Sequence, residues 1–206
     1  MEEALGLIWM SAGNPYFTEE RIVKMLHFAL ERFARVIIMA PDKPAEHNFK
    51  ALGYPDNQAK RKARLNANLL QNRTKRVVSL FPSELKNKVI VVEWADEVIP
   101  NAKYQEKYEE ILDLYNTNAS FRKEARETTK SVIAKKSADD IEKALDEAVQ
   151  YLIEELAFVL ASPDMYKVKR VFYLYHMTWP IYQRLIEGKY DGVQRNNLGF
   201  LLINKY

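Results

Sequence analysis

Three groups of residues have the types and spacing for chemistry: Ser11 with Asn14, Tyr151 with Glu155, and Tyr175 with His176. The stretch from Leu5 to Phe17 is an apolar run with the character of a buried strand. It breaks at Ser11-Ala12-Gly13-Asn14-Pro15 before a helix that starts near Thr18. One hydroxyl therefore stands at the carboxyl end of a strand, where open α/β sheets hold ligands, and a serine there can be a nucleophile. The same residues equally suit a plain turn, because Ser, Gly, Asn and Pro favour local hydrogen bonds and left-handed backbone. Tyr151 and Glu155, four apart, share one face of a segment that is otherwise apolar. A carboxylate in such a face is costly to leave unpaired, so Glu155 either pairs with a structural cation or serves chemistry, while Glu154 is expected to be solvated. Tyr175 and His176 again close an apolar run, from Val171, ahead of a turn at Thr178-Trp179-Pro180.

The elements that must position these groups alternate between strand and helix. Thr18 caps a helix predicted to reach Ala34, and Val36 to Ala40 forms the next strand, so the first strands make a right-handed βαβ unit. Helices are predicted over Ala45–Leu52, Pro55–Arg76, Ala102–Asn116 and Ala119–Lys135, and over Ala138–Ala161 from a Ser137 cap with Asp139 and Asp140 in its first turn. Further strands are expected at Val89–Val92, Val171–Tyr175 and Phe200–Ile203, with a short helix over Ile181–Ile186 before Asn196-Asn197. The fold class is α/β: a single domain, residues 1–206, with a parallel five-stranded sheet flanked by helices.

The helix after Pro55 has the most uneven charge. Lys60, Arg61, Lys62, Arg64, Arg73, Lys75 and Arg76 lie on it with no acid between Lys60 and Arg76, which suits phosphate contacts with a polyanion better than plain solvation. Leu65, Leu69 and Leu70 are expected to seat it on the body. At 206 residues with 48% hydrophobic and 29% charged content, the chain can bury a core without staples, and no apolar run is long enough to cross a bilayer. The acidic start, Met1-Glu2-Glu3, is unlike a secretory signal, and the lack of cysteine excludes disulfides and thiolate chemistry, so a cytoplasmic location is expected. There is no Gly-x-Gly-x-x-Gly, Walker loop or Gly-x-Ser-x-Gly. His27, His47 and His176 are too scattered for a metal site. His27 is expected to pack among apolar residues, His47 to lie near the surface, and His176 alone to be placed for function.

Several stretches together carry a resemblance. They are Ser11-x-x-Asn14-x-Tyr16-Phe17, Ala51-Leu52-Gly53-Tyr54-Pro55, Tyr151-x-x-x-Glu155-Leu156, Tyr175-His176-x-x-Trp179-Pro180 and Asn197-x-Gly199-Phe200. In this order the chain resembles the cyclodipeptide synthases, Rossmann-like enzymes related to class I aminoacyl-tRNA synthetase catalytic domains. Asn14, Tyr175 and His176 resemble the subgroup named for those residue types.

The resemblance implies a chain that takes amino acids from two aminoacyl-tRNAs and releases a diketopiperazine through aminoacyl and dipeptidyl esters of Ser11. It implies that Tyr151 and Glu155 hold the substrate ammonium, that Tyr175 positions or relays a proton with Asn14 and His176 in support, and that the basic helix grips tRNA. It further implies a first aminoacyl pocket at Leu7, Trp9 and Tyr173, no cofactor, no metal, no membrane, and a monomer or weak dimer. Trp9 stands where the family usually has glycine, so that pocket is expected to be reshaped. Two other functions compete: a serine esterase or amidase, which lacks an evident Ser-His-acid order, and a non-catalytic tRNA-binding module.

Overall fold

Apolar runs become strands and amphipathic runs become helices in a regular alternation. The order is β1 (Ala4–Trp9), α1 (Glu19–Leu30), β2 (Arg35–Met39), α2 (Lys43–Ala51), α3 (Asp56–Ser79), α4 (Ser83–Lys86) and β3 (Val89–Val92). A π-helical turn (Trp94–Val98) then leads to α5 (Ala102–Thr117), α6 (Ala119–Ile133), α7 (Ile141–Met165), β4 (Arg170–Tyr175), α8 (Pro180–Ile186) and β5 (Leu198–Leu202). The structure, a computed structural model, describes residues 4–133, 141–190, 193 and 198–203. The expected cap at Ser137 with Asp139 and Asp140, the expected helix end at Lys135 and the Asn196-Asn197 pair lie outside them.

Five strands form one sheet in the order β3-β2-β1-β4-β5, every neighbouring pair parallel. The chain starts at the centre, steps outward to β3, then returns to the far side of β1. The reversal between β1 and β4 opens a crevice at their carboxyl ends, the place where such sheets bind ligands. Runs of buried residues along β1, β2 and β4 follow from helices covering both faces. Among the described residues, no helix is long and apolar enough to cross a membrane.

Close packing fixes the centre of the sheet. Gly6 pairs in register with Phe172, and a Cβ built on Gly6 would stand 2.6 Å from the Phe33 ring. That ring is itself held against Phe172, centroids 5.4 Å apart, and cannot simply swing away. Gly6→Ala is expected to destabilise the fold by about 1–3 kcal/mol, read as a lower urea midpoint. Phe33→Leu in the same chain should recover part of that loss, a non-additivity that a double-mutant cycle measures.

Three helices and one histidine differ from the sequence expectation. Helix α1 stops at Leu30, where Phe33 N–H bonds the Ala29 carbonyl and the Arg32 guanidinium bonds the Phe28 carbonyl, closing the helix end early. Helix α7 continues through Pro163, because Ser162 Oγ donates to the Val159 carbonyl at 2.7 Å and satisfies the acceptor that proline cannot. Helix α3 seats itself on Ala59, Ala63, Ala67, Leu70, Thr74 and Val77, so Leu65 and Leu69 face outward, 58% and 56% exposed. An alanine row at i, i+4 lets the helix approach its neighbours closely, which the larger leucines would prevent. His27 is exposed, its ring resting on Phe81 at 4.7 Å.

Candidate active site

Parallel register at the centre of the sheet brings two distant parts of the chain together. Ile8 pairs with Leu174, so the residues that follow each strand emerge side by side. Ser11 Oγ and Tyr175 Oη are hydrogen-bonded at 2.9 Å. The turn that presents Ser11 needs a left-handed residue, supplied by Gly13 at φ +79°, and Asn14 Oδ1 accepts from Tyr16 N–H at 2.9 Å. The turn chemistry and the pocket-lining hydroxyl therefore coexist in the same residues.

Helix α7 brings Tyr151 and Glu155 to the same place. Tyr173 Oη donates to Glu155 Oε1 at 2.6 Å, and the Tyr182 hydroxyl also bonds that carboxyl. Glu155 is only 7% exposed. Burial pushes its pKa from the ordinary 4.5 up to about 7, and the two tyrosine hydroxyls hold it from rising further. Among the described residues no basic side chain pairs with it, so its carboxyl faces the pocket without a resident cation. Burial likewise raises Tyr151, with the negative charge of Glu155 adding to it, while hydrogen bonds from Ser11 and Trp9 oppose the shift. Glu154 is not solvated: it lies 3.4 Å from His47 Nε2, and Glu147 binds His47 Nδ1 at 2.7 Å, joining α7 to α2. The two glutamates raise the His47 pKa against the opposing effect of burial.

These groups line a pocket of about 180 Å³. Ser11, Asn14, Tyr151, Glu155 and Tyr175 are on its wall, which Trp179, Tyr182, Asn48, Thr128 and Thr129 also line. Leu7, Trp9 and Tyr173 are not on that wall. All three are buried behind it, with Trp9 packed on Trp94 at 5.7 Å, on Phe158 at 5.8 Å and on Tyr173 at 6.2 Å. Trp9 reaches the site through its indole N–H, which donates to Tyr151 Oη at 3.3 Å.

Tyr175 is kept protonated by burial and the Glu155 charge, and the hydrogen bonds from Ser11 and Asn14 oppose that shift. His176 stacks on Tyr16 with ring centroids 3.8 Å apart, and Arg21 lies over the other ring of that pair, 4.1 Å from the Tyr16 centroid. Burial and the Arg21 charge lower the His176 pKa. The partner of Ser11 is thus a tyrosine, and the described residues hold no Ser-His relay of the hydrolase kind.

A comparison with known families matches residues 4–205 to the cyclodipeptide synthase model. The chain belongs to the cyclodipeptide synthase family. Among curated proteins, the chain is 23% identical to the cyclo(L-leucyl-L-leucyl) synthase of Bacillus subtilis (strain 168), over 97% of this chain and 82% of that one. Among solved structures it is similar to the CDPS of Staphylococcus haemolyticus, at 20% identity and TM-score 0.84 over 100% of this chain and 92% of the other. A cyclodipeptide synthase from Candidatus Glomeribacter gigasporarum, bound to Phe-tRNAPhe, matches at 13% identity and TM-score 0.68 over 96% of this chain and 87% of that one. The fold likeness extends to the tyrosyl-tRNA synthetase of Archaeoglobus fulgidus, at 13% identity and TM-score 0.57 over 98% of this chain and 55% of the other.

The basic residues of helix α3 divide into two sets. Arg73 donates to the Phe17 carbonyl at 2.5 Å, Lys75 pairs with Glu93 at 3.3 Å and Arg76 with Glu19 at 2.6 Å. Lys60, Arg61 and Arg64 are exposed and make no ion pair among the described residues, and Lys62 lies over the Tyr54 ring at 4.6 Å. Sequence reasoning missed Tyr182, Asn48, Thr128 and Thr129 as pocket residues. Tyr182 alone left a signal, a hydroxyl on the buried face of α8 that needs a partner.

Proposed function

We propose that the synthase condenses the aminoacyl groups of two charged tRNAs through esters of Ser11. The observation that carries this reading is the Ser11–Tyr175 hydroxyl pair, 2.9 Å apart, opening on the pocket that also holds the Glu155 carboxyl. In the first step Ser11 Oγ attacks the ester carbonyl of one aminoacyl-tRNA. The ribose oxygen leaves, and the serine proton reaches it by way of Tyr175, which gives and takes a proton without a net change. Glu155, with Tyr151 beside it, holds the ammonium of the bound aminoacyl group and accepts its proton to free the amine. That amine attacks the ester carbonyl of the second aminoacyl-tRNA, and a dipeptidyl ester of Ser11 forms as the second tRNA leaves. The new terminal amine then attacks the Ser11 ester carbonyl, which closes the ring and regenerates the serine hydroxyl. Asn14 and His176 act as positioning residues, Asn14 through the Tyr175 hydroxyl and the turn, His176 through the Tyr16 stack.

The ester bonds of the substrates are already activated, so the scheme needs no nucleotide or metal. The test is incubation of the purified chain with charged tRNAs and mass spectrometry for diketopiperazines. Product supports the scheme, and its absence from every charged pool overturns it.

The free cations of α3 suit the phosphates of tRNA, and the Phe-tRNAPhe complex in the family supports a tRNA partner. Lys60→Gln, Arg61→Gln and Arg64→Gln together are expected to weaken tRNA binding and lower its salt slope by about one per phosphate contact removed, measured by binding titrations across KCl concentrations. Neutralising Lys75 and Arg76 should cost less, since both already spend their charge on glutamates of this chain. Equal effects of the two sets would refute this division.

A further inference from the structure

The two leucines that helix α3 leaves in solvent stand beside the Ser11 turn. Leu65 and Leu69 are both exposed and, four residues apart, are neighbours on the helix surface. A lone exposed leucine is ordinary, but this pair has a basic and carboxamide setting. Arg61 and Lys62 stand one turn before Leu65, Asn72 stands one turn after Leu69, and no acid occurs between Asp56 and Glu84. Such a surface suits a polyanion that also has apolar faces to cover. Its place in the fold selects the occupant. Asn66, beside Leu65, lies against the turn: a Cβ built on Gly13 would stand 3.6 Å from Asn66 Cγ. Two turns further along, Arg73 donates to the Phe17 carbonyl at 2.5 Å, so this flank of α3 meets the turn at two points. Leu69 is one turn from Asn66, a spacing that leaves about 5–6 Å between Cβ atoms. The leucines therefore border the mouth of the pocket on the Gly13 side.

From this we infer that Leu65 and Leu69 pack against the unpaired bases at the 3′ end of the aminoacyl-tRNA. The inference rests on the synthase reading above and names the part of the tRNA that α3 receives. The aminoacyl ester is carried on the terminal ribose, whose oxygen has to come within bonding reach of Ser11 Oγ. The nucleotides just before it then leave across the pocket rim, and the exposed cations Lys60, Arg61 and Arg64 draw their phosphates towards α3. A paired stem does not fit the leucines, because stacking hides its base faces and leaves phosphates, ribose hydroxyls and base edges outside. Unpaired bases do fit, since their faces are open. The contact tolerates any sequence, because every base has a flat face, so one surface can receive both charged tRNAs in turn.

The test compares binding of one uncharged tRNA, intact or trimmed of its unpaired 3′ nucleotides, to wild type and to the double variant Leu65→Gln, Leu69→Gln. Wild type should bind the trimmed tRNA at least about tenfold more weakly than the intact one. The double variant should bind intact tRNA about tenfold more weakly than wild type does, yet bind trimmed tRNA equally well. Its salt slope on intact tRNA should match that of wild type, because no phosphate contact is lost. Both positions face solvent and glutamine suits a helix, so Tm should not fall. An equal loss on intact and trimmed tRNA, or no loss on either, would overturn the contact and leave the synthase reading intact. Loss of binding to anionic-lipid vesicles with tRNA binding unchanged would assign the leucines to a membrane surface, and would overturn it too. Wild type that shows the expected pattern but makes no diketopiperazine would uphold the contact and overturn the synthase reading. Wild type that binds neither tRNA would overturn both.

Discussion

Ser11→Ala is expected to abolish diketopiperazine formation and leave the fold standing. Ser11 is a part-exposed turn residue whose side chain bonds Tyr175 and Tyr151, so its removal should cost only about 1 kcal/mol of stability per hydrogen bond lost. The chemical loss is far larger, because each proposed step forms or breaks a bond to Ser11 Oγ, and removal of a covalent nucleophile commonly lowers turnover by roughly a thousandfold or more. Two measurements separate the nucleophile from a supporting role. Wild type mixed with labelled aminoacyl-tRNA should retain label on the protein after acid quenching, and Ser11→Ala should retain none. Tyr175→Phe should still acquire label, only more slowly, since it keeps the hydroxyl that attacks. Product from Ser11→Ala at the wild-type level would mean that the two aminoacyl groups react directly, and the ester scheme would fall.

The second large effect belongs to Glu155, and its sign can be worked out. Its folded pKa, about 7, lies above the ordinary 4.5, so between these values the folded chain binds a proton that the unfolded chain releases. Stability from this group is therefore greatest below pH 4.5, falls as pH rises towards about 7, and is level beyond, a loss on the order of 3 kcal/mol. Glu155→Gln keeps an oxygen for Tyr173 and removes the charge, so it should be more stable than wild type at pH 8 and differ little near pH 4.5. Its synthase activity should fall roughly a hundredfold, because an amide neither holds an ammonium by charge nor accepts its proton. Wild-type activity should rise with pH through about 7 as the carboxyl ionises. Unfolding curves at several pH values, paired with product assays, check both halves. A stability difference independent of pH, or full activity in Glu155→Gln, would refute this role.

Much of this site was legible from local spacing. A hydroxyl after one apolar run and a tyrosine after another meet at the β1–β4 crevice, because parallel strands deliver their carboxyl ends to one edge, and two polar residues four apart on apolar α7 line the same pocket, while His176 lies off its wall against Tyr16. What spacing does not carry is which distant elements close the pocket. Thr129 and Asn48 are unremarkable in α6 and α2, and only the packing of both helices on α7 brings them near Ser11. Leu65 and Leu69 mislead for a related reason. Hydrophobicity marks them as core residues, but the helix seats on its alanines, whose small size matters more than their weak apolarity. Leu7 and Trp9 alternate along β1 as pocket residues should, yet the aromatic block around Trp9 leaves them a layer behind the wall. Pro163 reads as a helix end, and one serine hydroxyl is enough to carry α7 past it.

That aromatic block also bears on which positions around the site tolerate exchange. Trp9 is fully buried among Trp94, Phe158 and Tyr173, so exchanging it opens a void that several coordinated replacements would have to refill. Thr128, Thr129 and Val132 stand on about one turn of a single helix, and Val132 is 41% exposed. A single exchange on α6 therefore alters the pocket lining directly, whereas an exchange at Trp9 disturbs the packing behind Ser11.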